Sequence, residues 1–302
     1  MARRPLWEAW LVWLLFGLTA VAVFVTYWRL PPTELWKTTN AGFVGGVGRA
    51  FVFLSFSAAV VAPAVLAIVW DRLEDRRARM LAIIAFILCA TVAIPGVQTQ
   101  NDLDPKWANV PQVVGVALAV LLTAWATRSG RQVQTRTSRA GDRARLAVGA
   151  VSLLFAAPYI AAELGFFLDG VPLLGWFFQT GVIKPEPGGG YAHAAVHHGH
   201  HHGMDGFLLA VSALLLSRLA GGIRSRGLRA ATAFYLSLML VYGLTNQAED
   251  LWIEQVAKRD WTNWLIPNVL QPKPSLAWLA MLVVAALFYR TMFRPAAAAP
   301  GR

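Results

Sequence analysis

Charged residues are scarce in this chain, making up 14% of its 302 positions, where an ordinary soluble protein carries about 25%. With hydrophobic residues at 57%, there is too little polar material to cover a soluble fold of this length. Disorder is excluded on the same ground, since a disordered chain combines low hydropathy with high charge. Cysteine is nearly absent. The single Cys89 rules out an internal disulfide and any cysteine metal site. Histidine is missing outside one ten-residue stretch. No haem can therefore be bridged by histidines from two separate spans, and a histidine proton path across a bilayer has no residues to run on.

Several enzyme signatures are missing as well. Neither Gly-x-Ser-x-Gly nor His-Glu-x-x-His occurs, which removes the common serine-hydrolase and zincin readings. The glycine-rich run from Gly42 to Gly48 has no Lys-Ser or Lys-Thr after it, so it reads as close helix packing or a flexible turn and not as a phosphate loop. The scattered histidine boxes of membrane di-iron desaturases, and the motif of nickel permeases in which His is followed four residues later by Asp-His, are both absent.

What the chain does have is long apolar blocks, and the mean hydropathy is +0.50. Eight candidate spans lie near 6–28, 50–70, 79–95, 110–126, 146–168, 206–221, 230–246 and 275–289, the third and sixth being short. A helix needs about 20 apolar residues to cross hydrocarbon. Only helices or closed barrels satisfy every backbone group in lipid, and unbroken runs such as Leu11-Val-Trp-Leu-Leu-Phe lack the alternation of a barrel strand. The expected fold is all-α: a polytopic membrane helical bundle of about eight transmembrane helices, forming one integral membrane domain over 1–302.

The net charge of +11 reports topology and does not call for nucleic acid. With the N-terminus in the cytoplasm, the inner side holds 19 of the 27 Lys and Arg but only 5 of the 16 acidic residues. That is the positive-inside pattern, and it places both termini in the cytoplasm. Arg3-Arg4 before an apolar run imitates a signal peptide, but the run is long and Tyr27-Trp28-Arg29 offers no small-residue cleavage site, so the first span is expected to be retained. Arg and Ala usage points to a high-GC bacterial source, and the expected location is the plasma membrane.

Three loops stand out. Residues 128–145 form a cytoplasmic basic linker of Arg, Ser, Thr and Gln, a solvated connector near anionic lipid. Residues 249–274 form an extracytoplasmic loop. In it Trp252, Ile253 and Val256 share one helical face, while Glu254 and Lys258 make an i,i+4 pair on another. This reads as an interfacial helix at headgroup level. Residues 169–205 form the longest extracytoplasmic loop, with an apolar stretch over 171–183 that is too short to span and is suited to lie on or dip into the membrane as a lid.

All six histidines fall in this last loop: His193, His197, His198, His200, His201 and His202. If the run is helical, His193/His197, His197/His201, His198/His202 and His201/Asp205 are i,i+4 pairs on shared faces, a spacing that lets two imidazoles reach one ion. Neutral imidazole suits zinc, copper, iron and nickel, so the ligand type does not choose among copper, iron and zinc; Met204, if it faces the site, favours copper. Glu163 near the outer end of the fifth span, Asp205 opening the sixth, and Glu249 and Asp250 closing the seventh all belong to the same membrane level. An ionisable group at such depth is usually paired or functional. The expected core ligands are His197, His198, His201, His202 and Asp205, with His193, His200, Glu163, Glu249 and Asp250 around them, and with Glu163 or Asp205 as general base. The bland reading is a His/Gly-rich surface tract that buffers metal without a defined site.

Three functions follow from these features. The leading one is a membrane metalloenzyme acting at the outer face on a lipid-like or small hydrophobic substrate. The others are a metal transporter or metal-delivery protein, and a non-catalytic subunit bound to partner membrane subunits. The expected partners are membrane lipid and the hydrophobic substrate, with no nucleic acid.

Overall fold

The computed structural model describes residues 6–35, 37–97, 103–128, 141–185, 192–198, 202–270 and 272–293. It is an all-α membrane bundle. The helices are α1 (Trp7–Arg29), α2 (Gly42–Phe53), α3 (Ala59–Val69), α4 (Arg76–Ala90), α5 (Val110–Arg128), α6 (Asp142–Glu163), α7 (Leu174–Phe177), α8 (His202–Ala220), α9 (Arg226–Gln255) and α10 (Leu276–Phe288). Among the described residues the sheet is a small antiparallel pair, β1 (Ile183–Pro185) and β2 (Ala192–Ala194).

Among the described residues, six helical segments are long and apolar enough to cross a membrane: Trp7–Arg29, Gly42–Arg72, Trp107–Arg128, Asp142–Glu163, His202–Ala220 and Arg226–Arg259. The two remaining expected spans are helical but shorter. The third is the 15-residue α4, which tightens into a 3-10 turn at Thr91–Ala93, and the eighth is the apolar helix Leu276–Thr291. The sixth, expected to be short, extends to 19 residues because α8 starts at His202.

The second span is one continuous rod in which α2 passes into α3 through a π turn at Leu54–Ala58. The π turn lies just ahead of Pro63, which has no N–H to give and crowds the carbonyl four residues earlier. Ser225, Ser275 and Asp75 cap α9, α10 and α4 by accepting from Leu228 N, Trp278 N and Arg77 N, satisfying donors that a helix start leaves open.

α3 runs through the middle, touching α4, α5, α8 and α9, while α8 and α9 pack against each other over the most extended contact. Small residues allow that approach: the backbones meet where Gly206 faces Gly243, and Gly115 of α5 lies against Cys89 and Ala85 of α4. This is the packing mode of helices in lipid, where van der Waals fit replaces hydrophobic drive. The outer face is apolar, with Leu14, Leu18 and Val21 of α1, Ile83, Phe86 and Ile87 of α4, and Leu279, Val283 and Leu287 of α10 all exposed. A soluble protein does not present such a continuous belt; a bilayer covers it.

Candidate metal centre

α8 begins beside the later turns of α9, because the two form an antiparallel pair joined by the short turn at 221–225, and the longer α9 runs on past that level. α9 runs unbroken past Asn246 to Gln255. Of the segment taken from sequence as a separate interfacial helix, the first part is therefore the last turns of a 30-residue helix, and the rest is a 3-10 turn at Ala257–Arg259 followed by irregular chain. Glu249, Asp250 and Glu254 all project from this end, and all three are buried.

His202 is the first residue of α8. Its Nδ1 lies 3.5 Å from Asp250 Oδ1 and 3.9 Å from Glu249 Oε2. The backbone N–H of Gly203 donates to Asp250 Oδ2, so Asp250 serves as an N-terminal cap supplied by the neighbouring helix, and the positive end of the α8 dipole favours its charge. Asn268 Nδ2 donates to Glu249 Oε1 at 3.3 Å. Each carboxylate is thus oriented through one oxygen, the arrangement by which outer partners fix metal ligands. One ligand atom from each of His202, Glu249 and Asp250 falls within 4.8 Å of the others.

A second group forms one turn further along α9. His193, His197 and Glu254 also place one ligand atom each within 4.8 Å of one another. The two rings sit 4.8 Å apart at 74°. Their pairing matches the i,i+4 spacing but comes from strand β2 followed by a bend, not from a helix. The strand pairs Lys184 with His193, and beyond it Ala195 N and Val196 N donate to Val182 O and Thr180 O, both at 3.0 Å. This group already contains a cation. Lys258 Nζ lies 2.7 Å from Glu254 Oε2 and 3.0 Å from His193 Nδ1, with both members of the ion pair almost wholly buried.

The cover over these groups is formed by residues 169–185 and 192–198. Asp169 closes its first turn, accepting from Thr180 Oγ1 at 2.6 Å and from Gly181 N at 3.2 Å. Partial burial alone would raise the Asp169 carboxyl, but these bonds outweigh it and hold the carboxyl below its ordinary range. Gln179 and Gln255 exchange two bonds, at 2.7 and 2.6 Å, that dock the segment on α9. Arg259 Nη2 donates to Phe177 O at 3.0 Å, and Lys184 pairs with Asp260 at 2.7 Å. Leu173 just before α7, Trp176 within it and Ile183 of β1 face outward as exposed apolar groups.

The remaining expected residues divide three ways. His198 joins neither group: its ring stacks on Phe167 at 4.5 Å and 11°, and its Nδ1–H donates to Ala162 O at 3.0 Å. Glu163 and Asp205 are buried near α2 and α8, where Arg49 acts electrostatically on both. Asp205 is also within electrostatic reach of His202 and Asp250, which puts it beside the first group. His200 and His201 lie outside the described residues. Met204 is buried in the apolar core.

Four residues enter the site that sequence reasoning did not place there: Glu254, Lys258, Arg49 and Tyr159. Tyr159 of α6 is fully buried, its ring pressed against Gly203, within electrostatic reach of Glu249, Asp250 and Glu254. Glu254 and Lys258 were legible as a pair but not as buried. No protein-family model, no curated protein and no solved structure matches the chain.

Proposed function

We propose that the chain is a membrane metalloenzyme. In this reading a transition metal (copper, iron or zinc) is held at the extracytoplasmic membrane face by His202, Glu249 and Asp250, and the substrate is lipid-like or a small hydrophobic molecule. The observation that carries it is the convergence of one imidazole and two oriented carboxylates from two helix ends, within 4.8 Å and under cover. A mixed nitrogen and oxygen donor set of this kind suits these ions. The group at His193, His197 and Glu254 ranks second because Lys258 already neutralises it.

The side of the membrane rests on charge. α8 runs from His202 at one end to Arg218 near the other, and α9 runs from Arg226 to Glu254. The arginine-rich ends therefore lie opposite the histidines, and arginine-rich ends favour the cytoplasm.

A bound metal would supply Lewis acidity for water activation or, with copper or iron, redox capacity. The chain's own residues do the rest. Asp205, with Glu163 behind it, accepts a proton as general base. Gly203 N and Asn268 keep Asp250 and Glu249 in place. The cover formed by 169–185 and 192–198 limits water, and exposed Leu164, Phe166, Trp176 and Phe177 offer an apolar approach from the bilayer.

Transport is the weaker reading. It needs polar groups free to line a path through the spans, and the candidates are mostly committed to the bundle. Thr123 accepts from Trp13 Nε1, Ser152 donates to Gln247, Tyr235 to Val60 O, and Ser237 to Ala285 O.

The test is elemental analysis of protein purified from metal-replete medium, beside His202→Ala and Asp250→Asn. The expected result is a near-integer content of one metal, lost in both variants while circular dichroism and monodispersity are kept. A metal-free wild-type protein overturns the reading and leaves the non-catalytic subunit in the lead.

A further inference from the structure

At the opposite end of the bundle from the histidines, α6 and α8 diverge to leave a groove of about 390 Å³. Its walls are apolar, formed by Leu146, Leu153, Phe207 and Val211, and its floor is shallow in side chain at Gly149 and Ala150. One end is polar, where Asp142, Arg145 and Arg218 close it. The groove runs from Asp142 to Leu153 on α6, ~17 Å of helix at about 1.5 Å per residue. That is close to one leaflet of a ~30 Å hydrocarbon core.

The polar end is built and held. Arg145 Nε donates to Ser217 Oγ at 2.9 Å and its Nη1 lies 3.4 Å from Asp142. Arg218 reaches Asp142 at 3.6 Å and Glu8 at 3.3 Å, with its guanidinium over the Trp7 ring at 5.9 Å. The two acids fix the two guanidiniums in place, and Arg143, the second residue of α6, leaves this end with three arginines against two acids.

We propose that this groove is a binding site for an anionic phospholipid. One acyl chain lies along the α6–α8 groove and the phosphate sits at Arg145 and Arg218. The shape argues for an acyl chain because the recess is one leaflet long, apolar along its walls and open sideways at exposed Leu146 and Leu153. The charge argues for an anionic headgroup, since an arginine cluster where a helix meets the membrane surface recruits anionic lipid. The site does not depend on the metal reading.

The test is native mass spectrometry of the delipidated full chain titrated with phosphatidylglycerol or phosphatidylcholine of identical acyl chains. The wild type should retain one phosphatidylglycerol with a preference of about fivefold over phosphatidylcholine, the factor expected of one arginine at a membrane surface. Gly149→Phe, which fills the floor where a side chain meets only Leu214 at 4.0 Å, should lose the retained lipid of either kind. Arg145→Gln should keep the lipid but lose the preference. Equal retention of the two lipids by the wild type overturns the headgroup assignment. Unchanged retention in Gly149→Phe overturns the groove.

Discussion

Gly206 of α8 and Gly243 of α9 face each other so closely that a Cβ on Gly243 would stand 2.5 Å from the Gly206 carbonyl oxygen. Neither backbone can yield without separating the helices. This contact sets the distance between the start of α8, which carries His202, and the end of α9, which carries Glu249 and Asp250.

Gly243→Ala is therefore expected to cost about 1–3 kcal/mol or more in stability, the range for overpacking a filled interior. It should also lower metal content, although no proposed ligand is touched. Thermal unfolding in detergent together with elemental analysis checks both. Full metal content at unchanged melting temperature would show that the helix spacing does not matter to the site.

Lys258 and Glu254 form a buried ion pair with His193 against the ammonium. Removing one member of such a pair leaves the other charge uncompensated, at a cost of about 3–5 kcal/mol. Lys258→Met should melt well below the wild type in metal-free buffer, and added zinc should recover part of the loss by replacing the missing cation among His193, His197 and Glu254. The variant should then carry one more metal equivalent than the wild type. If zinc leaves its melting temperature unmoved, the group is a structural ion pair and not a latent ligand set.

How much of this was legible in sequence can be traced residue by residue. All eight apolar blocks became helices, because a long run without polar alternation has no other stable form in lipid. The pairing of His193 with His197 was readable as spacing, although a strand and bend deliver it. The burial of Glu254 and Lys258 was not. It depends on α9 continuing past Asn246, where no Gly or Pro intervenes before Gln255, and on residues 169–185 folding over that end through Phe177, Gln179 and Lys184. Arg49 was missed for a related reason. The helix begins at Gly42, eight residues before the apolar block, so a residue assigned to a loop is inside the bundle.

His198 separates a structural histidine from a ligand. Its stacking on Phe167 and its bond to Ala162 O are worth about 1 kcal/mol each. His198→Ala should lower stability by about that sum and leave metal content intact, whereas His202→Ala should remove the metal. Loss of metal in both variants, with the fold retained, would bring His198 into the ligand set.

Asp104 gives a pH-dependent test of the loops beside α2. Partial burial would raise its carboxyl, but bonds from Thr39, Thr38 and Asn40 outweigh that and pull it down to about 2; Thr38 Oγ1 donates at 2.8 Å and Asn40 Nδ2 at 2.8 Å. The contact ties the residues before α2 to the 103–106 turn, where Leu103 N also donates to Lys37 O at 2.9 Å. Because the folded value lies below the unfolded one of 3.8, the stabilisation is complete above pH ~4 and disappears as pH falls through about 2. Asp104→Asn should therefore melt a few degrees below the wild type at pH 6, and the gap should close between pH ~4 and ~2. A gap that persists unchanged at pH 2 would mean that the side chain acts through packing and not through its charge.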